Sequence, residues 1–509
     1  MNLINMEKIV KVYPGTVALD KVDFHVKEGE IVSLLGENGA GKSTLMKILY
    51  GMTSATSGKV YYKGEELNFK RPIDAIKKGI CMVHQHFMLV DAFTVTENII
   101  VGSEPGSKGF VDIKDAQRKV EKLIEDFNFN IDPHSKVADL SVGEQQRVEI
   151  LKVLYREADV IILDEPTAVL TPQEVKDLFK ILSKLREQGK TIIIITHKLK
   201  ETKAIADRVV ILRDGKLIED NVKPENVSTN DLSKMMVGRE VDLRNRHPAK
   251  NIGKVSLSVK NLNIVEDGKT KIKDVSFNIH SGEILGIAGV EGNGQTQLIE
   301  ALTGLRKPDT LEMTLNGKKI EGSPTEILEA GIAHVPEDRL SMGLVKEMSV
   351  MNNMILGYHR HEEFCKKYGI LNRNHIYNYA DDLREKFSVK TPSVDSAVNS
   401  LSGGNQQKII IARTFNRDPE AIIIAHPTRG VDVGAIEYIH QQMLELRDKG
   451  AAILLVSADL DEVRTLSDRL LVIYEGEIVS ESLPGELDEI EMGLLMTGGH
   501  SMIEESETS

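Results

Sequence analysis

Two kinds of hydrophobic pattern alternate along the chain. Short continuous apolar runs, EIVSLLG at 30–36, VIILDE at 160–165 and TIIIIT at 191–196, read as buried strands. Between them lie stretches with one apolar helical face, GKSTLMKILYG at 41–51 and PQEVKDLFKILSKLREQG at 172–189. This alternation predicts an α/β fold, with parallel strands in a sheet covered by helices on both sides. Between 85 and 141 the pattern turns helical, as in DAQRKVEKLIEDF at 115–127, and it does so again between 350 and 401, as in NHIYNYADDLREKF at 374–387. These stretches read as small helical subdomains inserted into the α/β cores.

The whole pattern runs twice. Phe24 in KVDFHVKEGEIVSLLG and Phe277 in DVSFNIHSGEILGIAG keep the offset that separates Lys42 from Gln295. LSVGEQQRVEI at 140–150 returns as LSGGNQQKIII at 401–411; VIILDEPT, IIIITHKLKE and RDGKL then return in step as AIIIAHPT, ILLVSADLDE and YEGEI. A period this long means two copies of a domain rather than a solenoid. The expected organisation is a first domain over 1–240, a polar, weakly periodic linker over 241–254, a second domain over 255–500 and a disordered tail over 501–509.

Composition narrows the function. With 509 residues, 41% apolar and 28% charged, the chain is globular and has room for about two to four domains of ordinary size. A net charge of −13 speaks against a nucleic-acid partner, which selects a basic face. Cys81 and Cys365 are too few and too far apart for a disulfide framework or a metal spacing, so they read as buried thiols in a reducing compartment. Glu7 and Lys8 interrupt the N-terminal segment where a signal peptide needs its apolar stretch, and no apolar run approaches the ~20 residues of a membrane span. A soluble cytoplasmic protein is expected.

The chemistry starts at GENGAGKS, 36–43, which follows a strand-like run and opens a helix, the context of a phosphate-binding loop. Glycines let backbone N–H groups approach a triphosphate, the helix N-terminus adds positive potential, Lys42 spans the terminal phosphates and Ser43 offers a hydroxyl to Mg2+. VIILDEPT ends a strand in two carboxylates: Asp164 to hold the metal through its water, Glu165 to polarise the attacking water. Without the loop upstream, such a pair is an ordinary solvated strand end. His197, one residue past TIIIIT, is placed to hydrogen-bond a γ-phosphate, and Gln85 in MVHQHF to touch both metal and water, although either alone is more often bland. Tyr13 either stacks on adenine or belongs to the core. In the second copy, GVEGNGQT at 289–296 keeps Gly289, Gly294 and a hydroxyl at Thr296, but Gln295 stands where the lysine belongs.

LSVGEQQR and LSGGNQQK resemble the signature motif of the ATP-binding cassette (ABC) family, which lies between the phosphate loop and the DE strand as here. The resemblance extends over residues 3–498, and a tandem chain with a degenerate second half is similar to the ATPases of sugar and nucleoside importers, most of all the nucleoside group. It implies two tandem P-loop cassettes, each an α/β core with a helical subdomain, and ATP hydrolysis coupled to import with ATP and Mg2+ as cofactors. The partners it implies are two integral-membrane permeases and, indirectly, a substrate-binding lipoprotein; nucleic acid is not among them. The chain would sit on the cytoplasmic face of the cell membrane as a peripheral protein.

In that family two cassettes pack head to tail, so each ATP lies between one phosphate loop and the other cassette's signature. Carried over, one complete site joins Tyr13, Gly36, Glu37, Asn38, Gly39, Ala40, Gly41, Lys42, Ser43 and Thr44 to Ser402, Gly403, Gly404 and Asn405. Lys42, Gln85, Glu165 and His197 would act on the phosphates, and Ser43, Gln85 and Asp164 would hold Mg2+. The other site joins Gln295 and Thr296 to Ser141, Val142, Gly143 and Glu144. There Glu337 stands in the Gln position, Ala425 and His426 in the DE positions, Ala458 in the His position and Glu266 in that of Tyr13, so cation, carboxylates, histidine and adenine platform are all missing. The second copy is expected to persist because its signature completes the working site and its body grips a second permease. The alternatives are a ribose- or galactose-type importer ATPase, a soluble tandem-cassette translation or repair ATPase, and an exporter ATPase.

Overall fold

The computed structural model describes residues 2–498 apart from 14–15, 85–86, 108–109, 128, 130, 168–169, 171, 240–247, 267, 291 and 432. It divides into two compact units, Met1–Val241 and Asp242–Ser509.

In the first unit, β1 (Asn2–Tyr13), β2 (Thr16–Lys27), β4 (Ser57–Tyr62) and β5 (Glu65–Leu67) form an antiparallel sheet in the order β2-β1-β4-β5. A six-stranded sheet takes β3 (Ile31–Leu35), β6 (Ile80–Val83), β7 (Val160–Asp164), β8 (Thr191–Thr196), β9 (Arg208–Arg213) and β10 (Lys216–Val222) in the order β10-β9-β3-β8-β7-β6. Its strands run parallel, except that β10 pairs antiparallel with β9. Helix α1 (Lys42–Leu49) follows β3, and α5 (Pro172–Glu187) joins β7 to β8. Between β6 and β7 the chain makes α2 (Val95–Ile100), α3 (Ile113–Phe127) and α4 (Val142–Tyr155), the inserted helical part.

The isoleucine run of β8 shows why its pattern is continuous rather than alternating. Ile193 and Ile195 enter the cluster that packs the antiparallel sheet and α1 against the six-stranded sheet. Ile192 and Ile194 enter the other cluster, with the inserted helices and α5. A parallel strand buried on both faces has no polar side. The antiparallel sheet was not expected from the sequence, because its alternation is broken: β1 and β2 pair through register shifts beside Lys8 and Lys21, both at positive φ.

The second unit repeats this plan. Strands β11 (Val255–Glu266), β12 (Lys269–His280), β14 (Thr310–Leu315) and β15 (Lys318–Lys319) make the antiparallel sheet β12-β11-β14-β15. The larger sheet runs β16-β17-β18-β13-β19-β20, with β13 (Ile284–Ala288), β16 (Ile332–Val335), β17 (Ala421–Ala425), β18 (Ala452–Ser457), β19 (Arg469–Tyr474) and β20 (Glu477–Ser482). Helix α6 (Gln295–Leu302) follows β13, and α10 (Val433–Asp448) joins β17 to β18. The insert holds α7 (Val350–Met354), α8 (Arg373–Lys386) and α9 (Gly403–Phe415). At the end of the expected linker, Ala249 N–H donates to Asp468 (2.8 Å) and Gly253 N–H to the Ser281 carbonyl (2.8 Å), so these residues are tied to the second unit. Residues 501–509, expected as a tail, lie outside the described residues. Among the described residues no helix is long and apolar enough to cross a membrane.

One arginine per unit clasps the two sheets together. Arg208 on β9 pairs with Glu30 (2.8 Å) and donates to the His25 carbonyl on β2 (2.6 Å) and to the Asp220 carbonyl on β10. Arg469 on β19 pairs with Glu283 (2.9 Å) and Glu481 (2.6 Å) and donates to the Asn278 carbonyl on β12. The Arg208 side chain is only 2% exposed, against 20% for Arg469. Removing one partner of a buried pair strands the other charge, so Arg208→Met is expected to cost about 3–5 kcal/mol. Arg469→Met should cost clearly less, because Arg469 and Glu481 are reached by water and the buried Glu283 keeps His280 beside it (2.7 Å). Calorimetric unfolding of the two full-length variants checks this; equal shifts in Tm would contradict it.

Candidate functional site

The first phosphate loop is held in its bend by a glycine that nothing else can replace. Gly41, the residue before α1, has φ 99°, and a Cβ there would lie 2.7 Å from the Ala18 carbonyl oxygen. Lys42 is 5% exposed and its Nζ donates inward to the carbonyls of Gly36 (2.7 Å) and Glu37 (3.0 Å). The amine thus sits inside the loop it would use to reach phosphates. No side chain caps α1, which leaves its first N–H groups toward the loop.

Asp164 and Glu165 close β7 beside this loop, and both are largely buried. Burial, then repulsion from Glu165, pushes the Asp164 carboxyl up to about 6, against the opposing pull of Lys42, Lys47 and a hydrogen bond from Ser43. Burial acts on Glu165 in the same sense, but the hydrogen bond and charge of His197, with Lys42 and Lys198, outweigh it and hold Glu165 below its ordinary value. Glu165 Oε1 lies 3.1 Å from His197 Nδ1. Its backbone is left-handed (φ 49°), and its N–H donates to the Ile195 carbonyl (2.9 Å), which turns the side chain out of the strand end. The donor set fits a divalent cation: a hydroxyl and a buried carboxylate destabilised by its neighbour, which a cation would relieve.

Tyr13 is 40% exposed, with the Lys11 ammonium 5.0 Å from its ring centre, so it is a surface residue rather than core. Gln85 lies outside the described residues. Lys42, Ser43, Asp164, Glu165 and His197 gather at the C-terminal ends of β3, β7 and β8, where α/β sheets bind ligands.

The second unit keeps the scaffold of this site and changes its contents. Gly294 repeats Gly41 at φ 101°, and His426 repeats the backbone of Glu165, with φ 43° and its N–H on the Val456 carbonyl (2.8 Å). Gln295 is 4% exposed, and its Nε2 is buried without a hydrogen-bond partner. His426 Nδ1 accepts from the Ala458 N–H (3.3 Å). A carboxylate is nonetheless present. Glu337 accepts from Thr296 Oγ1 (3.4 Å) and pairs with Arg429 (3.0 Å), so the pocket carries its own neutralised acid. Glu266, in the Tyr13 position, pairs with Arg306 (2.7 Å).

The two signature helices start differently. In α4, Ser141 Oγ accepts from the Glu144 N–H while the Glu144 carboxylate accepts from the Ser141 N–H and hydroxyl (2.8 Å each), a closed capping box. Gly143 also lies against the Glu174 carboxylate, which a Cβ would strike. In α9, no side chain caps the first amides. Asn405 turns its Oδ1 to the Lys390 N–H (2.7 Å) and its Nδ2 to Ser402 Oγ (2.9 Å), which leaves the serine its own proton to donate. Here the neighbour is a cation: a Cβ on Gly403 would lie 2.8 Å from Arg339 Nη2.

The sequence profile of the ABC transporter family matches residues 19–168 and 272–429, more than half of the chain. The chain belongs to the ABC transporter family. It carries two of the family's ATPase cassettes in tandem. It is 47% identical to the nucleoside import ATP-binding protein NupA of Lactococcus lactis subsp. cremoris, over 98% of both chains. It is 47% identical to the guanosine import ATP-binding protein NupO of Bacillus subtilis over 97% of both. With the glucose import ATP-binding protein TsgD13 of Haloferax volcanii the identity is 43%, over 97% of this chain and 96% of the relative.

Reasoning from the sequence did not find Arg339, Arg429 or Glu174, because each acts on a motif from a distant part of its cassette. The cap on α4 was open to it, since a Glu three residues after a Ser is the capping-box spacing. The contrast between the two signatures is directly measurable. Ser141→Ala should cost α4 about 1 kcal/mol and speed hydrogen exchange of the Glu144 amide roughly fivefold, whereas Ser402→Ala should leave the corresponding amide of α9 nearly unchanged. Equal protection losses would show that the two helices start alike.

Proposed function

We propose that this ABC ATPase powers an importer of nucleosides, acting from the cytoplasmic face of the membrane with two integral-membrane permeases and, behind them, a substrate-binding lipoprotein. The relatives named for nucleoside and guanosine import support this cargo, matching nearly the whole chain at 47% identity. The glucose-import relative, at 43%, makes a simple sugar the second reading.

One observation carries the mechanistic part: the signature of the second cassette is open and positively lined, while that of the first is closed by its own glutamate. ATP would bind to the loop at 36–44 and be completed by the signature at 402–405. Lys42 would exchange the Gly36 and Glu37 carbonyls for phosphate oxygens, and Ser402 would donate its proton to the γ-phosphate. Glu165, aligned by His197, would accept a hydrogen bond from the attacking water, and Tyr13 would stack on adenine. Mg2+, held by Ser43, Asp164 and Gln85, would supply charge that offsets the β- and γ-phosphates. In the opposite pairing an incoming phosphate would meet Glu144, Glu174 and a Glu337 carboxylate already paired with Arg429, with Gln295 in place of the lysine. Closure around ATP and reopening after hydrolysis would move the permeases through surfaces near Gln85 and Glu337.

Two experiments test this. Lys42→Ala and Glu165→Gln should each lower ATP turnover by on the order of 100-fold or more, the second with ATP still bound, while Gln295→Ala does little. Ser402→Arg, in the degenerate half, should inactivate nearly as fully as Lys42→Ala, and Ser141→Arg clearly less; equal loss from both would sink the composite site. For the cargo, labelled nucleoside and labelled ribose are offered to vesicles holding the chain and its permeases. Uptake of ribose without nucleoside would transfer the assignment to the sugar reading.

A further inference from the structure

Beside the open signature lies a residue that no motif of the site includes. Arg339 opens a single wide turn, Arg339–Gly343, two residues after Glu337. Its Nη1 donates to the Arg429 carbonyl (2.8 Å), its Nη2 covers Gly403, and its Nε is buried without a hydrogen-bond partner. Arg429 in turn is held by Glu337 (3.0 Å), and Glu337 by Thr296 at the start of α6 (3.4 Å). The series Thr296–Glu337–Arg429–Arg339–Gly403 therefore runs unbroken from the degenerate phosphate loop to the first residue of α9, all inside the second unit.

A guanidinium is out of place there on electrostatic grounds. A helix N-terminus carries positive potential, and a cation beside it is disfavoured by roughly 0.3–1 kcal/mol. The adjacent acid relieves this only in part: Asp338 attracts the guanidinium, but its Oδ1 is turned to the amides of Leu340 and Ser341. The first unit does the reverse and sets Glu174 against Gly143 at the start of α4. Arg339 is thus kept at an unfavourable place by the carbonyl it grips, and a Cβ on Gly403 would collide with it.

We propose that Arg339 is a positioning residue for ATP turnover: braced through Arg429 on Glu337, it sets the orientation of the signature at 402–405 and keeps the end of α9 positive for an arriving phosphate. The retained body of the degenerate pocket then has a role of its own, as the mount for a signature used elsewhere. The proposal rests on the reading that this signature completes the ATP site.

The test is steady-state ATP turnover by the full chain for Arg339→Met, Arg339→Lys, Glu337→Gln and Ser402→Arg, with thermal unfolding of each. Arg339→Met should lower kcat about tenfold and leave KM for ATP within about twofold, since ATP is held by the other cassette's loop. Arg339→Lys, which keeps the charge and a donor for the Arg429 carbonyl, should regain most of the rate. Glu337→Gln, which loosens Arg429 without touching Gly403, should cost roughly threefold in kcat. If Arg339→Met does not fold, Glu337→Gln decides: full rate overturns the proposal, and a roughly threefold loss of kcat with KM unchanged supports it. If Ser402→Arg stays active, the composite site itself is wrong. If Ser402→Arg is inactive while Arg339→Met turns over normally, or loses KM rather than kcat, the Arg339 proposal alone falls.

Discussion

Every α-helix begins with N–H groups that have no partner within the helix, and the chemistry proposed for this protein follows from how four such beginnings are treated. Helices α1 and α6 start after glycines, and no side chain caps them, so their amides face the loops before them. Helix α9 is likewise uncapped, whereas α4 is sealed by Ser141 and Glu144. An open N-terminus is a ready anion site, and a sealed one has already spent donors on its own serine hydroxyl and carboxylate. Sequence symmetry between the two cassettes therefore conceals a chemical asymmetry, carried by Glu144 against Asn405 in the motif and by Glu174 and Arg339 beside it.

The second cassette separates scaffold from function. Its backbone reproduces the first at the positions that matter geometrically: the left-handed glycine before α6, and the left-handed turn at His426 with its N–H on the neighbouring strand. Side chains that would meet phosphate or metal are gone, and the space they leave is filled by internal pairs, Glu337 with Arg429 and Glu266 with Arg306. A pocket that has settled its own charges has less to gain from a highly charged ligand, because each internal pair must be broken before a new one forms.

Much of this was legible in the sequence, for identifiable reasons. The isoleucine run at 191–196 could be read as a doubly buried strand because continuity itself is the signal. The loop at 36–43, the carboxylates at 164 and 165 and the two signatures lie within short segments, where spacing carries the information. The antiparallel sheets were hidden because bulges beside Lys8 and Lys21 break the two-residue period that would reveal them. Tyr13 stayed undecided until its exposure was known. Arg339 and Arg429 were out of reach for another reason: their contacts join residues some 90 positions apart, and nothing local to either announces the partner.

The arginine clasps bear on how such a chain is made. Arg208 meets Glu30, the His25 carbonyl and the Asp220 carbonyl, and every one of these precedes the second cassette in the chain. The first cassette can thus close its clasp during synthesis, before the near-copy that follows it is complete, and exchange of strands is a characteristic failure of tandem copies. The clasps also differ at one corner, a backbone carbonyl of Asp220 in the first and the Glu481 carboxylate in the second. The two halves of the duplicated chain are thus chemically distinguishable at that corner, within one shared fold.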